Sequence, residues 1–328
     1  MVCLRYSEIM FRCTVLASGS KGNCTVIRTE RTRLVVDAGL SCREIVKRMR
    51  FAGEDPEKID GLLITHEHQD HIQGVSVFAR RFRIPTYFTG ATHAAWKRIL
   101  TPRKTMSYSA WLEERKRMAA NADATFVAHA SDAEEQSAGT AVSTLAASVE
   151  QPALIEEEYS TALPALEFFS AGKSFTIGDI AVTPFTIPHD AADPVGFVFE
   201  AEGMRIAVAT DLGYMPPNVH EQLRRADLLI LESNHDVEML RDGPYPWSVK
   251  QRVLSRVGHL SNDAAAEFLT EAYDGYARWV ILAHLSESNN LPELARLTAE
   301  RALQRRALHE ACNVRLASQT MPLEAITL

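Results

Sequence analysis

Short apolar runs separated by polar turns recur along the first hundred residues and predict alternating strands and helices. The runs are rich in Val, Ile, Leu and Thr, which is typical of half-buried or buried strands. We predict strands at 11–17, 24–28, 33–37, 60–65 and 84–89. The spacing of the intervening apolar positions predicts helices at 42–52, 71–82 and 92–100, with Ser41 as the N-cap of the first.

The same alternation returns after residue 173. Gly178-Asp179 and Glu202-Gly203 separate pairs of apolar runs and predict two hairpins. We predict strands at 174–177, 180–187, 195–200, 205–210, 228–232, 279–283 and 314–317. Helices are predicted at 219–225, 262–273 and 292–311. Both halves of the chain thus begin with strands and continue with strand–helix units.

Residues 101–165 interrupt this pattern. A charged helix is predicted at 110–120, followed by a tract rich in Ala, Ser and Glu with little periodicity. Such a composition favours a partly disordered surface insertion. A lid over a substrate is the alternative, and a protein partner for this acidic insertion is a further hypothesis.

Charge is distributed unevenly and does not exclude a nucleic-acid substrate. The formal net charge is -7. Residues 131–167 hold eight acidic residues and no Lys or Arg, which leaves 34 of the 42 acidic residues against 35 basic ones elsewhere. The remainder is therefore close to neutral, and overall acidity carries no information about affinity for DNA.

The bulk properties favour one cytoplasmic globular domain. No stretch approaches the 18 or more apolar residues of a membrane span, and no secretory signal is evident. Five cysteines, an odd number with no CxxC pair, argue against a disulfide framework. We expect one catalytic domain over 11–328, with residues 1–10 as an extension and Met10 as a possible start.

Residues 66–71 contain the densest candidate chemistry, in the order His-Glu-His-Gln-Asp-His. They follow the predicted strand at 60–65. Side chains two positions apart in extended backbone share a side, so His66 and His68 can converge on one metal ion. If a helix begins at Asp70, then Asp70 and His71 turn away toward a second ion. Two-metal sites activate water against phosphoesters, esters and amides.

Further metal-capable side chains end other predicted strands, where a rigid sheet can position them. Each alone is more often a structural residue than a ligand, but together they indicate one site. They are His189, Asp211, His235 and His284, while His259 precedes a predicted helix. We assign no role to the four remaining histidines, His93, His129, His220 and His309.

The order HxHxDH, His189, Asp211 and His284 resembles the metallo-β-lactamase superfamily, and Asp37 in VDAG matches its first motif. The segments at 17–23, 187–192, 209–213, 232–236 and 258–262 resemble its YycJ/WalJ-like branch. That branch is bacterial and linked to exonuclease activity on DNA. No separate β-CASP domain is visible between the motifs.

The resemblance implies an αββα sandwich of two mixed sheets with outer helices and metals at one edge. It implies two divalent ions, zinc or manganese, and a metal-bridging hydroxide that attacks a phosphodiester. The implied ligands are His66, His68 and His189 for one ion, Asp70, His71 and His284 for the other, and Asp211 for both.

Other residues are candidates for catalysis and substrate binding. Asp70 would orient the hydroxide, and His259 and His235 are candidate acids or phosphate ligands; His259 could instead cap the following helix. Asp37 would orient a metal ligand by hydrogen bonds. The donor-rich loop at 18–23, including Ser18, Ser20 and Asn23, suits a phosphate or is an ordinary tight turn. Asn289 and its neighbour Asn290 are weaker candidates for substrate contact.

Three functions remain open from the sequence. The first is a metal-dependent phosphodiesterase acting on nucleic acid, specifically a 5′-to-3′ DNA exonuclease. The second is a hydrolase of thioesters, lactones or cyclic phosphodiesters on the same metals. The third is a non-catalytic regulatory protein that retains the fold, which would be supported by a missing ligand.

Overall fold

The computed structural model describes residues 10–101, 161–308 and 311–328, with a few isolated positions between 109 and 117. The chain divides into two compact units, residues 1–98 with 161–328, and residues 99–160. The fold below is that of the first unit. Residues 1–9 of the predicted extension and most of the predicted insertion at 101–165 lie outside the described residues.

The first sheet has seven strands in the order β14-β1-β2-β3-β4-β5-β6. From β14 to β3 in this order, adjacent strands are antiparallel. From β3 to β6, adjacent strands are parallel. The strands are β1 (Arg12–Ala17), β2 (Cys24–Arg28), β3 (Arg33–Val36), β4 (Gly61–Leu63), β5 (Pro85–Thr89), β6 (Ala165–Phe169) and β14 (Ile326–Thr327).

The second sheet repeats this plan in the order β13-β12-β11-β10-β9-β8-β7. β7 to β10 are antiparallel neighbours, and β10 to β13 are parallel. The strands are β7 (Phe175–Ile177), β8 (Ile180–Thr186), β9 (Val195–Ala201), β10 (Met204–Ala209), β11 (Leu228–Glu232), β12 (Trp279–Ala283) and β13 (Asn313–Leu316).

Helices follow the parallel strands, as right-handed crossovers require. In the described residues they are α1 (Cys42–Phe51), α2 (Gln69–Ile72), α3 (Val75–Phe82), α4 (Gly90–Leu100), α5 (Pro217–Leu223), α6 (Val237–Asp242), α7 (Trp247–Val253), α8 (Asn262–Glu271) and α9 (Pro292–Arg305). None of the helices that the structure describes is long and apolar enough to cross a membrane.

The continuous apolar runs are explained by burial on both faces of the second sheet. In β11, Leu228 and Ile230 belong to a core shared by the two sheets. Leu229 and Leu231 belong to a second core beneath α5, α8 and α9. A strand covered on both sides has no polar face. The predicted sandwich of two mixed sheets with outer helices is confirmed.

Several element predictions were wrong in detail. The single helix predicted at 71–82 is two helices, because Gly74 N donates to the Ala38 carbonyl at 2.7 Å, while the Asp70 carbonyl accepts from Asn23 N. Residues 165–169, assigned to the insertion and its irregular flank, form β6 beside β5. The predictions also missed α6, α7 and β14.

Candidate metal centre

The predicted metal-binding side chains meet at the carboxyl ends of strands from both sheets. His66 and His68 follow β4, and Asp70 and His71 lie in α2. The other four strand ends belong to β3, β8, β10 and β12, and they supply Asp37, His189, Asp211 and His284. Because β10 and β12 are parallel with β11 between them, their carboxyl ends share one edge of the sheet.

Three overlapping groups of donors form within this set, and one of them, His66, His71 and Asp211, links the two described next. The first, here the His66 cluster, consists of His66, His68 and His189, each offering an atom within 4.8 Å of the others. The second, the Asp70 cluster, consists of Asp70, His71 and His284 within the same limit. Among the described residues, no donor group of this kind includes a cysteine.

Asp211 lies between the two clusters. Its carboxylate is 3.9 Å from His189 Nε2 in the His66 cluster. It is 3.4 Å from His71 Nε2 and 3.4 Å from His284 in the Asp70 cluster. The Asp211 side chain is 2% exposed, and its Oδ2 atom has no hydrogen-bond partner. A buried carboxylate oxygen without a hydrogen-bond partner is costly, so the Asp211 carboxylate is suited to face bound cations.

The outer ring nitrogens of the histidines are held by the surrounding protein. His71 Nδ1 donates to Asp37 Oδ2 at 2.7 Å, and His189 Nδ1 donates to the Gly258 carbonyl at 3.0 Å. His66 Nδ1 lies 3.0 Å from Thr65 Oγ1. Occupied Nδ1 atoms leave Nε2 facing the cluster, and His66 Nε2 is buried without a partner. This is the arrangement by which proteins orient metal-binding imidazoles.

Asp37 therefore lies where the sequence predicted an orienting residue. Besides His71, its carboxylate accepts hydrogen bonds from the backbone N and the hydroxyl of Thr65. The carboxylate thus aligns the start of the HxHxDH segment as well as one ring within it.

Glu232, the last residue of β11, was missed by the sequence analysis. It is fully buried, and its Oε1 accepts hydrogen bonds from His259 Nδ1 and His284 Nδ1, each at 2.9 Å. Its Oε2 accepts from the backbone N of Leu212 at 2.7 Å and of Leu260 at 3.1 Å. The signal available was an acidic residue closing the apolar run LLIL, a buried position where carboxylates are rare.

The electrostatics of the Asp70 cluster favour positive charge. Burial alone would lower the pKa of His71, but the carboxylates of Asp211, Asp70 and Asp37 raise it well above its usual range. Burial opposes the charge of His284 too, and Asp211 is again the main carboxylate that raises its pKa well above normal. The carboxylates thus favour the protonated forms of both rings when no cation is bound.

The His66 cluster behaves differently. Burial, followed by the charges of the neighbouring His71 and His189 rings, lowers the pKa of His66 well below its usual range. A neutral imidazole is the form that binds a metal. Both clusters therefore fit divalent cations: one supplies neutral nitrogen donors, and the other supplies carboxylate charge.

A cavity of about 300 Å³ opens onto these clusters. His259 lines it, with its Nδ1 held by Glu232. His235 does not line it: the ring is buried, and burial lowers its pKa to about 4. The predicted catalytic role of His235 is therefore not supported by its position. The cavity walls also include Ser20, Gln69, Asn234, Tyr245, Arg252, Val253 and Ser286.

The predicted substrate-binding residues are only partly brought together. Ser20 lines the cavity. Ser18 instead accepts a hydrogen bond from the backbone N of His284 at 2.8 Å. Asn23 is buried beside the Asp70 cluster, with Nδ2 3.2 Å from Asp70 Oδ2 and 3.0 Å from His71 Nε2. Asn289 is buried and packs against Ser286 outside the cavity wall. Ser18, Asn23 and Asn289 thus contact residues of the site and do not line the cavity.

Comparison with known proteins identifies the family. The model of the metallo-beta-lactamase superfamily matches residues 17–246. Exodeoxyribonuclease YycJ of Bacillus anthracis is 32% identical over 311 residues, covering 94% of this chain and 96% of its own. Exodeoxyribonuclease WalJ of Streptococcus pneumoniae (strain D39) is 32% identical over 292 residues, covering 89% and 88%.

A solved structure shows the same fold. The metallo-beta-lactamase fold protein YhfI of Bacillus subtilis superposes with a TM-score of 0.59 at 14% identity, covering 96% of this chain and 99% of its own. Sequence similarity over most of the chain, together with the shared architecture, shows that the chain belongs to the metallo-beta-lactamase superfamily, in its YycJ/WalJ-like branch.

Proposed function

We propose that the protein is a metal-dependent exodeoxyribonuclease that hydrolyses phosphodiester bonds of DNA from the 5′ end. The observation that carries this proposal is a cavity in which two donor clusters share the buried carboxylate of Asp211. The two relatives named as exodeoxyribonucleases, each matching about nine-tenths of the chain, support the choice of substrate.

Two divalent cations, zinc or manganese, are proposed as the cofactors. The His66 cluster would hold one, the Asp70 cluster the other, and Asp211 would lie between them. Imidazole nitrogens and carboxylate oxygens suit either metal. Bound there, the cations would lower the pKa of water and neutralise charge that develops on the phosphoryl oxygens.

The protein side chains orient the nucleophile and protonate the leaving group. We propose that Asp70, on the cavity wall, orients the hydroxide that the bound cations would supply, and that this oxygen bonds to phosphorus. The bond from phosphorus to the leaving oxygen breaks, and His259 gives that oxygen a proton. Glu232 accepts from His259 Nδ1, so it would hold the ring with Nε2 toward the cavity.

The insertion is proposed to act apart from the chemistry. In this view residues 11–328 form one catalytic domain, and the acidic tract within 101–165 binds a protein partner or covers the site. Deleting residues 131–157 separates these roles. Unchanged DNA hydrolysis would indicate a surface insertion that does not gate the site, whereas a changed KM for DNA supports a covering role.

The decisive experiment follows single-stranded DNA labelled at either end, with Mn²⁺ or Zn²⁺ added. We expect a 5′ label to be released first as a short product, while a 3′ label passes through a shrinking ladder. His68→Ala should abolish both patterns and lower the bound metal from about two ions per chain to one. His220→Ala is the matched control, since His220 lies outside the cavity wall.

Two outcomes would contradict the proposal. Equal degradation by wild type and His68→Ala would show that the nuclease is a contaminant. Rapid thioester hydrolysis without any action on DNA would favour a small-molecule hydrolase on the same metals.

A further inference from the structure

One wall of the cavity is formed by the chain between α6 and His259, here called the rim segment (residues 243–258). It contains α7. Tyr245, Arg252 and Val253 from this segment line the cavity. No part of the proposed hydrolysis uses the rim segment, although it lies directly beside the reacting groups.

The rim segment is attached to the metal centre by backbone hydrogen bonds. The Val257 carbonyl accepts from Asp190 N at 3.0 Å, and the Gly258 carbonyl accepts from His189 Nδ1 at 3.0 Å. Gly213 lies against it so closely that a Cβ there would be 2.2 Å from the Arg256 carbonyl oxygen. The exposed side chains of the segment are therefore held at a fixed position relative to the cavity.

An unusual amount of apolar surface is exposed on this short segment. Trp247 is 63% exposed, and Val249, Leu254 and Val257 are each more than a third exposed. Four of the twelve exposed large hydrophobic side chains among the described residues thus lie on these sixteen residues, a concentration that favours a binding surface. Trp247 is two residues from Tyr245, so their Cα atoms lie within about 7.6 Å, the reach of two peptide units. The exposed Trp247 is thus a near neighbour along the chain of the cavity-lining residue Tyr245.

The charge of the rim segment suits a polyanion. It contains Lys250, Arg252 and Arg256 and no acidic residue, in a chain of net charge -7. The Lys250 ammonium is buried and donates to the Arg241 carbonyl. Arg252 forms an ion pair with Asp190 at the cavity wall, and Arg256 lies 4.1 Å over the Tyr214 ring. Both guanidinium groups are on the exposed side of the segment.

We propose that the rim segment binds unpaired nucleotides of the DNA strand whose end occupies the cavity. Trp247, with Tyr245, stacks on base faces, and Arg252 contacts a phosphate. Stacking of bases on aromatic side chains is tolerant of sequence, as an exonuclease requires. Paired bases present no free faces, so the strand must be unpaired where it contacts the rim. This inference rests on the proposed function.

The test measures the affinity of the metal-loaded protein for a single-stranded 12-mer with phosphorothioate linkages, which resist hydrolysis. Trp247→Ala should weaken binding by about 5- to 150-fold, the range of one lost base stack. Trp247→Phe should recover most of it. Phe51→Ala, which removes a 69% exposed aromatic ring from α1, is the matched control and should stay within twofold of wild type.

A second oligonucleotide, with abasic sites at its first four positions, separates stacking from a general structural effect. Trp247→Ala should cause little further loss on the abasic strand, because no base is present to stack. Equal loss on both strands, or unchanged affinity for the normal strand, would overturn the inference. If wild type neither binds nor shortens DNA, the proposed function itself fails. If wild type and Trp247→Ala are equally active, only the inference about the rim segment fails.

Discussion

Replacing Glu232 by Gln should disable the site while keeping the shape of the side chain. The buried carboxylate accepts four hydrogen bonds, two on each oxygen. Oε1 faces the Nδ1 atoms of His259 and His284, and Oε2 faces two backbone N–H groups. Glutamine offers one oxygen and one NH₂ group, so in either orientation two donors face another donor.

The cost follows from the hydrogen bonds lost. Each bond to a charged group contributes about 1.5–3 kcal/mol, so losing two lowers the free energy of unfolding by about 3–6 kcal/mol. At about 2 °C per kcal/mol, Tm should fall by roughly 6–12 °C. Loss of the partner of a metal-binding histidine typically costs 10–100-fold in metal affinity. The proton donated by His259 contributes about 10²–10⁴-fold, so turnover should fall by at least about 100-fold.

The assay compares metal affinity by calorimetry, turnover at saturating metal, and Tm. Glu54→Gln is the matched control, because Glu54 is another fully buried carboxylate, paired with Arg12, Arg28 and Arg33 away from the cavity. The Tm of Glu54→Gln should fall, while its metal affinity and its turnover per folded molecule should match those of wild type. A Glu232→Gln protein that binds metal within twofold of wild type and turns over within threefold would refute the assigned role.

Three further substitutions test separate parts of the site. Asp37→Asn removes the charge that His71 Nδ1 contacts and should weaken metal binding by about 10–100-fold, measured by competition with a chromophoric chelator. His259→Ala should leave metal content unchanged and lower kcat by about 10²–10⁴-fold; loss of metal would instead make it a ligand. Arg252→Ala should weaken DNA binding and reduce the slope of log affinity against log salt by about one, and an unchanged slope would exclude a phosphate contact.

The strand–helix pattern and the positions of the candidate metal-binding residues could be predicted from local signals, whereas their assignment to ions came only from the family resemblance. Buried strands are continuous apolar runs, and the residue that follows such a run lies at a sheet edge. Leu228–Glu232 and Trp279–Ala283 were predicted with the bounds observed. His66, His68 and His71 were accessible for the same reason, since they immediately follow a buried strand.

The remainder depends on contacts between distant parts of the chain. The break between α2 and α3 comes from the hydrogen bond of Gly74 N to the distant Ala38 carbonyl, which no local pattern reports. β6 is a short edge strand after a long irregular tract, and only pairing with β5 defines it. Glu232 was passed over because its importance comes from His259 and His284, which are 27 and 52 residues away.

Three residues of the site adopt a backbone conformation that only contacts with distant residues can stabilise. Asp37, Asp211 and His284 all adopt left-handed backbone, with φ of 60°, 63° and 56°. Such conformations cost of order 1–3 kcal/mol in a non-glycine residue and persist only where neighbours stabilise them. The His284 backbone is held by Ser18, whose hydroxyl accepts its N–H from 266 residues away, and by Asn234, whose Nδ2 donates to its carbonyl at 2.8 Å.

We therefore predict that Ser18→Ala acts through His284 and not on the substrate. It would leave a buried N–H without a partner, at a cost of about 1–3 kcal/mol, and loosen the backbone of one ligand. Metal affinity should fall about tenfold, the lower end expected for an indirect contact. The KM for DNA at saturating metal should stay within twofold of wild type. A raised KM with unchanged metal affinity would show instead that the loop at 18–23 contacts the substrate, as its hydrogen-bond donors first indicated.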